Sequence, residues 1–160
     1  AQSFPEFGPE RSGAPVRAYA RIWDRDIEIH AGITKADVVA VIDGTLTDKA
    51  KDLLREGGIL VVNTALSPSE IRDKYGFPRD VKIYTVDGTK IALETLGRPI
   101  ANTAILGSLV RILNESGIKY IHIDDLINAT KIVLGERYSE KIVEANINAI
   151  KRAYSEVRKE

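Results

Sequence analysis

Residues 36–89 read ADVVAVIDGTLTDKAKDLLREGGILVVNTALSPSEIRDKYGFPRDVKIYTVDGT, and they decide the fold. Val38–Ile42, Ile59–Val62 and Val81–Val86 are short apolar runs without alternation, the pattern of strands covered on both faces. Helix signals fall between them. Thr47 stands as an N-cap before Leu53-Leu54, with a glycine stop at Gly57-Gly58. Ser67-Pro68-Ser69-Glu70 is a capping box with proline at the first helical position. The order β-α-β-α-β follows, and with it a parallel sheet.

Working toward the C-terminus, a helix from about Thr89 stops at Gly97. A second runs from Asn102 or Thr103 to Gly117, with Ile105, Leu106, Leu109, Val110 and Leu113 assigned to one face. Ile118–Ile123 is a short strand or extended linker, and Asp124 caps a helix ending near Gly135. Ser139 caps a last helix with Ile142, Val143, Ile147, Ile150 and Tyr154 inward, and the final Arg-Lys-Glu is solvated. Working toward the N-terminus, Val16–Ile22 alternates before Asp24-Arg25-Asp26 and Ile27–Ile29, which predicts a β-hairpin with one buried face. The first fifteen residues hold three prolines and two glycines, and read as an irregular contact segment. The expectation is one three-layer, Rossmann-like, doubly wound α/β domain over 16–160, its sheet mainly parallel, with an N-terminal hairpin.

Composition excludes several chemistries. The 160 residues carry 23 basic and 23 acidic side chains, so no long-range field favours nucleic acid or an anionic membrane. With no cysteine, the chain supplies no disulfide, thiolate nucleophile or iron–sulfur ligand of its own. Scarce Gln, absent Met and 29% charged residues match a thermophile composition. There is no basic-then-apolar leader, so the chain reads as cytoplasmic. Methionine is missing even at position 1, as in a fragment or processed form.

In sheets of this kind ligands bind beyond the carboxyl ends of the strands. Asp43-Gly44-Thr45, Asn63-Thr64 and Asp87-Gly88-Thr89 sit there, either as a crevice for a phosphate- or carboxylate-bearing ligand or simply as caps and turns. No G-x-G-x-x-G or P-loop occurs. His30 and His122 are far apart and read as packing or surface residues, and Asp124-Asp125 as helix capping. No nucleophile–base spacing is present, so no catalytic or metal-ligating residue is assigned.

FPEFGPERSGAPVRAYARI, DVVAVIDGTL, EGGILVVNT, VDGTKIALETLGRPIANTAILGSL and VEANINAIKRAYSEV together resemble the gamma subunits of the 2-oxoacid:ferredoxin oxidoreductases, the pyruvate and 2-ketoisovalerate group most closely. The resemblance implies a multi-subunit enzyme that decarboxylates a 2-oxoacid on thiamine diphosphate with Mg. It passes electrons through 4Fe-4S clusters to ferredoxin and forms acyl-coenzyme A. Those cofactors belong to alpha, beta and delta partners, and gamma supplies structure and contacts to coenzyme A as substrate. By the same resemblance Glu10, Arg11, Ser12 and Gly13 face the catalytic subunits or the ligand, with Arg11 as an anion partner. Asn63, Thr64, Asp87, Asn102 and Thr103 match strand-end positions. Family members normally begin with a glycine-rich βα unit, and this sequence starts just beyond it: either the sequence is truncated there, or the unit is absent, which would leave an exposed sheet edge and no anion seat at that turn. The other reading is a stand-alone nucleotide-binding or protein-interaction module on a doubly wound sheet.

Overall fold

The computed structural model describes residues 1–6, 14–29 and 31–160. Its element order is β1 (Gln2–Pro5), β2 (Ala18–Arg21), β3 (Ala36–Val41), a 3₁₀ helix (Gly44–Asp52), β4 (Leu54–Asn63), α1 (Pro68–Tyr75), β5 (Lys82–Val86), α2 (Gly88–Leu96), α3 (Asn102–Glu115), α4 (Ile123–Gly135), α5 (Glu140–Glu156) and β6 (Arg158–Lys159). The main sheet has order β3-β4-β5-β6, with the first three strands parallel and β6 antiparallel to β5.

Pleating divides the central strands between two cores. Leu60, Val62 and Ile83 pack with Ala50 of the 3₁₀ helix and Ile71 of α1. Ile59, Val61, Tyr84 and Val86 face the other way, toward Ile91, Ala104, Ile105, Ile112, Ala149 and Ala153 on α2, α3 and α5. Helices therefore cover both faces, and the unbroken apolar runs follow from that. The α3–α5 crossing is very close: a Cβ at Gly107 would lie 2.2 Å from the Ile150 carbonyl oxygen. Only glycine lets these backbones meet, with Ala149 and Ala153 extending the seam.

The caps at Ser67 and Gly97 fall as expected. Ser67 and Glu70 form the reciprocal box, Ser67 N donating to Glu70 Oε2 at 2.7 Å. Gly76 and Gly97 end α1 and α2 with φ of +66° and +69°, in the left-handed region.

Elsewhere the structure corrects the reading. The first helical turn after β3 is 3₁₀ and its cap is Asp43; Thr47 is buried inside it, its hydroxyl donating to the Gly44 carbonyl at 2.6 Å. Gly57-Gly58 are not a helix stop but lie within β4, where the register against β3 slips. β2 pairs with β1 from the leading segment, not with 27–29, because Phe4 stacks on Tyr19 across that pair at 5.4 Å. Residues 118–122 are extended linker, and α4 starts after His122, whose backbone N donates to Asp125 Oδ2 at 2.8 Å. Leu106 and Ile142 are exposed: Leu106 lies nearly opposite the centre of the buried stripe of α3, and Ile142 sits in the first turn of α5, at the open end of its stripe. The final Arg-Lys-Glu is not a free tail: it forms β6 and ends in an Arg72–Glu160 ion pair. His30 lies outside the described residues.

Candidate functional site

The carboxyl ends of β3, β4 and β5 open onto two cavities that share Asp43 and Gly44. The first, about 400 Å³, is lined by Ile42, Asp43, Gly44, Asn63, Thr89 and the Pro99–Asn102 turn. The second, about 280 Å³, has Thr45, Thr64, Leu66, Lys74 and Tyr75 in its wall.

Asn63 binds the ends of three elements together. Its Nδ2 donates to the Ile42 carbonyl and to Thr89 Oγ1, both at 2.9 Å, and its Oδ1 accepts from Thr89 N at 3.2 Å. Gly44 and Gly88 permit this convergence: a Cβ would sit 3.1 Å from the Asn63 carbonyl oxygen at Gly44, and 3.2 Å from Asn63 Oδ1 at Gly88.

The two helix starts near the crevice differ. At α2, Asn63 takes the Thr89 amide, and Asp87 Oδ1 takes the Lys90 amide at 3.0 Å. At α3, Ala101 is the N-cap and, among the described residues, no side chain caps the first turn, so there the positive pole of a fourteen-residue helix carries no side-chain acceptor beside Asn102. The Asp43 carboxyl, also on the crevice, is held below its ordinary range by the hydroxyl and amide of Thr45, at 2.7 and 3.0 Å. The crevice wall thus combines a carboxylate, the helix start at Asn102 and the apolar side chains of Ile42, Pro99 and Ile100. A ligand that carries both an anion and hydrogen-bond donors matches it.

Of the residues singled out from sequence, the structure brings Asn63 and Asn102 into the first cavity and Thr64 into the second. Asp87 is a cap and lines neither, and Thr103 stands in the first turn of α3 without lining either. Glu10, Arg11, Ser12 and Gly13 lie outside the described residues. The sequence reading does not include Lys74, Tyr75 or the Pro99–Ala101 segment; at the latter Asn102 and Thr103 read as caps, and only the structure makes Ala101 the N-cap. Among the described residues no group of three His, Cys, Asp or Glu side chains could hold a metal, and no helix is long and apolar enough to cross a membrane.

Comparison with known proteins agrees with this architecture. The family model described as pyruvate ferredoxin/flavodoxin oxidoreductase matches residues 1–156. Pyruvate synthase subunit PorC of Thermotoga maritima is 40% identical over 98% of this chain and 79% of its own. The pyruvate/ketoisovalerate oxidoreductases common subunit gamma of Thermococcus kodakarensis is also 40% identical, over 96% and 79%. The crystal structure of pyruvate oxidoreductase subunit PORC from Thermotoga maritima superposes with a TM-score of 0.79 at 38% identity, covering 98% of this chain and 79% of that one. On a match spanning nearly every residue, with the fold shared, the chain belongs to the pyruvate ferredoxin/flavodoxin oxidoreductase family.

Proposed function

We propose that this chain is the gamma subunit of a 2-oxoacid:ferredoxin oxidoreductase acting on pyruvate. It serves the assembly and offers its strand-end crevice to coenzyme A. Relatives that are named as subunits of pyruvate synthase and of the pyruvate/ketoisovalerate oxidoreductases support the first part. The complex would convert the 2-oxoacid and coenzyme A to acyl-coenzyme A and carbon dioxide, its two electrons passing to ferredoxin. With no cysteine, the chain supplies no thiolate ligand to a 4Fe-4S cluster. In line with the family resemblance, thiamine diphosphate, Mg and the clusters are assigned to alpha, beta and delta partners in a cytoplasmic complex.

The observation that carries the ligand reading is the uncapped start of α3 on the crevice. Amides without side-chain acceptors suit a phosphate, and the ionised Asp43 carboxylate suits the amide and hydroxyl donors of a pantetheine arm. The chain's part is to bind and orient: the apolar Ile42–Ile100 rim takes the methylene stretches. Arg11 would add a second anion partner.

In the assembled complex, Asn102→Asp places a negative charge at the α3 pole. It is expected to raise KM for coenzyme A about two- to fivefold with kcat retained, the effect of roughly 0.3–1 kcal/mol. Arg11→Ala should also raise KM, with subunit association measured separately. Unchanged KM in both removes coenzyme A from this chain.

A further inference from the structure

We propose that Arg158 is a positioning residue for the crevice: from β6 its guanidinium fixes the Thr64–Leu66 turn, so docking of the 158–160 segment and seating of the ligand are coupled. The inference rests on the crevice reading above and deepens it.

The turn leaves β4 directly after Asn63. Its three successive carbonyls all point to Arg158. Nη1 donates to the Ala65 oxygen at 3.0 Å, and Nη2 donates to the Thr64 and Leu66 oxygens at 3.1 and 2.9 Å. Thr64 and Leu66 are wall residues of the second cavity, which meets the first at Asp43 and Gly44, so whatever holds their backbone shapes that side of the crevice. At its start Thr64 N continues the β4–β5 ladder, donating to the Val86 carbonyl at 3.0 Å; beyond it the bonds are local, Leu66 N to Thr64 Oγ1 at 3.2 Å and Ser67 N to Glu70 Oε2 at 2.7 Å. Arg158 is thus the long-range side-chain tie, reaching back across more than ninety residues to hold the Ala65 and Leu66 carbonyls that the ladder does not.

Two features place the guanidinium. Arg158 pairs with Thr85 across the β5–β6 ladder, which sets it beside the strand end. Glu160 then closes on Arg72, which also donates to the Val81 carbonyl at 2.7 Å and anchors the far side of the segment. Only a planar fork spans three carbonyls in this way; a lysine ammonium is a point donor and holds fewer of them in line. Binding that tightens the turn must strengthen tail docking by the same factor, since the coupling is reciprocal.

The test uses the assembled complex with Arg158→Ala and Arg158→Lys, reading hydrogen exchange and steady-state kinetics. The Ala variant is expected to speed exchange at Leu66 and Ser67 about tenfold, to leave Leu60–Val62 protected, and to raise KM for coenzyme A with kcat held. The Lys variant should be intermediate, and coenzyme A should slow exchange at the turn in the wild type. Unchanged exchange at the turn, or acceleration spread evenly through β4 and β5, overturns the positioning role. So does an unchanged KM in Arg158→Ala when Asn102→Asp raises it. If neither variant moves KM, the crevice reading fails first and the coupling to coenzyme A fails with it, whereas the exchange data still judge the hold of Arg158 on the turn.

Discussion

Gly107→Ala should be among the most damaging methyl additions this chain can receive. The new Cβ would stand 2.2 Å from the Ile150 oxygen, 2.9 Å from its carbonyl carbon and 3.0 Å from its Cα, about 1.2 Å short of the 3.4 Å where ordinary contact begins. The obstacle is the backbone of α5, so no rotamer change relieves it. Helix α5 would have to retreat, opening the seam of Ala104, Ala149 and Ala153, whose side chains are at most 1% exposed. Overpacking of this kind costs about 3 kcal/mol, and the better helix propensity of alanine returns roughly 1 kcal/mol. The net loss of about 2 kcal/mol corresponds to a Tm lower by roughly 4–8 °C for a chain of this length. Gly135→Ala, at the end of α4 with nothing within 4 Å of the added Cβ, provides the contrast and should be neutral or slightly stabilising. Differential scanning calorimetry and urea titration of the two variants read the sign directly. Equal stability of Gly107→Ala and wild type would refute the close α3–α5 crossing and the glycine argument built on it.

Three further outcomes follow from the same geometry. Asn63→Ala removes the bridge among the ends of β3 and β4 and the start of α2 and should cost about 1–3 kcal/mol, seen as a lower urea midpoint with an unchanged m-value. Ser67→Ala breaks the reciprocal box at α1 and should cost about 1 kcal/mol by the same titration, while Ser69→Ala stays near wild type. The Arg72 hydrogen bonds hold the Glu160 carboxyl below its ordinary value of 4.5, so its stabilisation is full above that pH and is lost as pH falls through the lower folded-state value. The Tm gap between wild type and Glu160→Gln should therefore be constant above pH 4.5 and close below it; a gap that widens on acidification contradicts the pairing.

The parts of the fold that could be read from the chain are those with local causes. Apolar runs at 59–62 and 81–86 signal strands because they lie between helices on both faces, the half-buried run at 38–42 shows the same lack of alternation at the sheet edge, and Ser67 and Gly97 mark helix ends because capping is decided within four residues. Where two local solutions competed, the reading failed. Asp43 and Thr47 are both competent caps, and burial of Thr47 decided between them. Gly57-Gly58 looks like a stop, yet a Cβ at Gly58 would sit 2.9 Å from the Arg55 oxygen, the mark of a tight strand irregularity. The β1–β2 ribbon and β6 are pairings of two to four residues, too short for any period to show. The candidate site divides in the same way: Asn63 and Asn102 stand out as polar residues at element ends, whereas Lys74 and Tyr75 reach it from the far end of a helix.

The close α3–α5 seam also sets a timetable for biosynthesis. Ile105 and Ala104 face a surface that α5 must complete, but α5 begins only at Glu140, well after α3 ends at Glu115. At translation rates of about 5–20 residues per second, the α5-facing side of α3 stays uncovered on the ribosome for several seconds until residues 140–156 arrive. The last helix made is therefore the one that closes this half of the core.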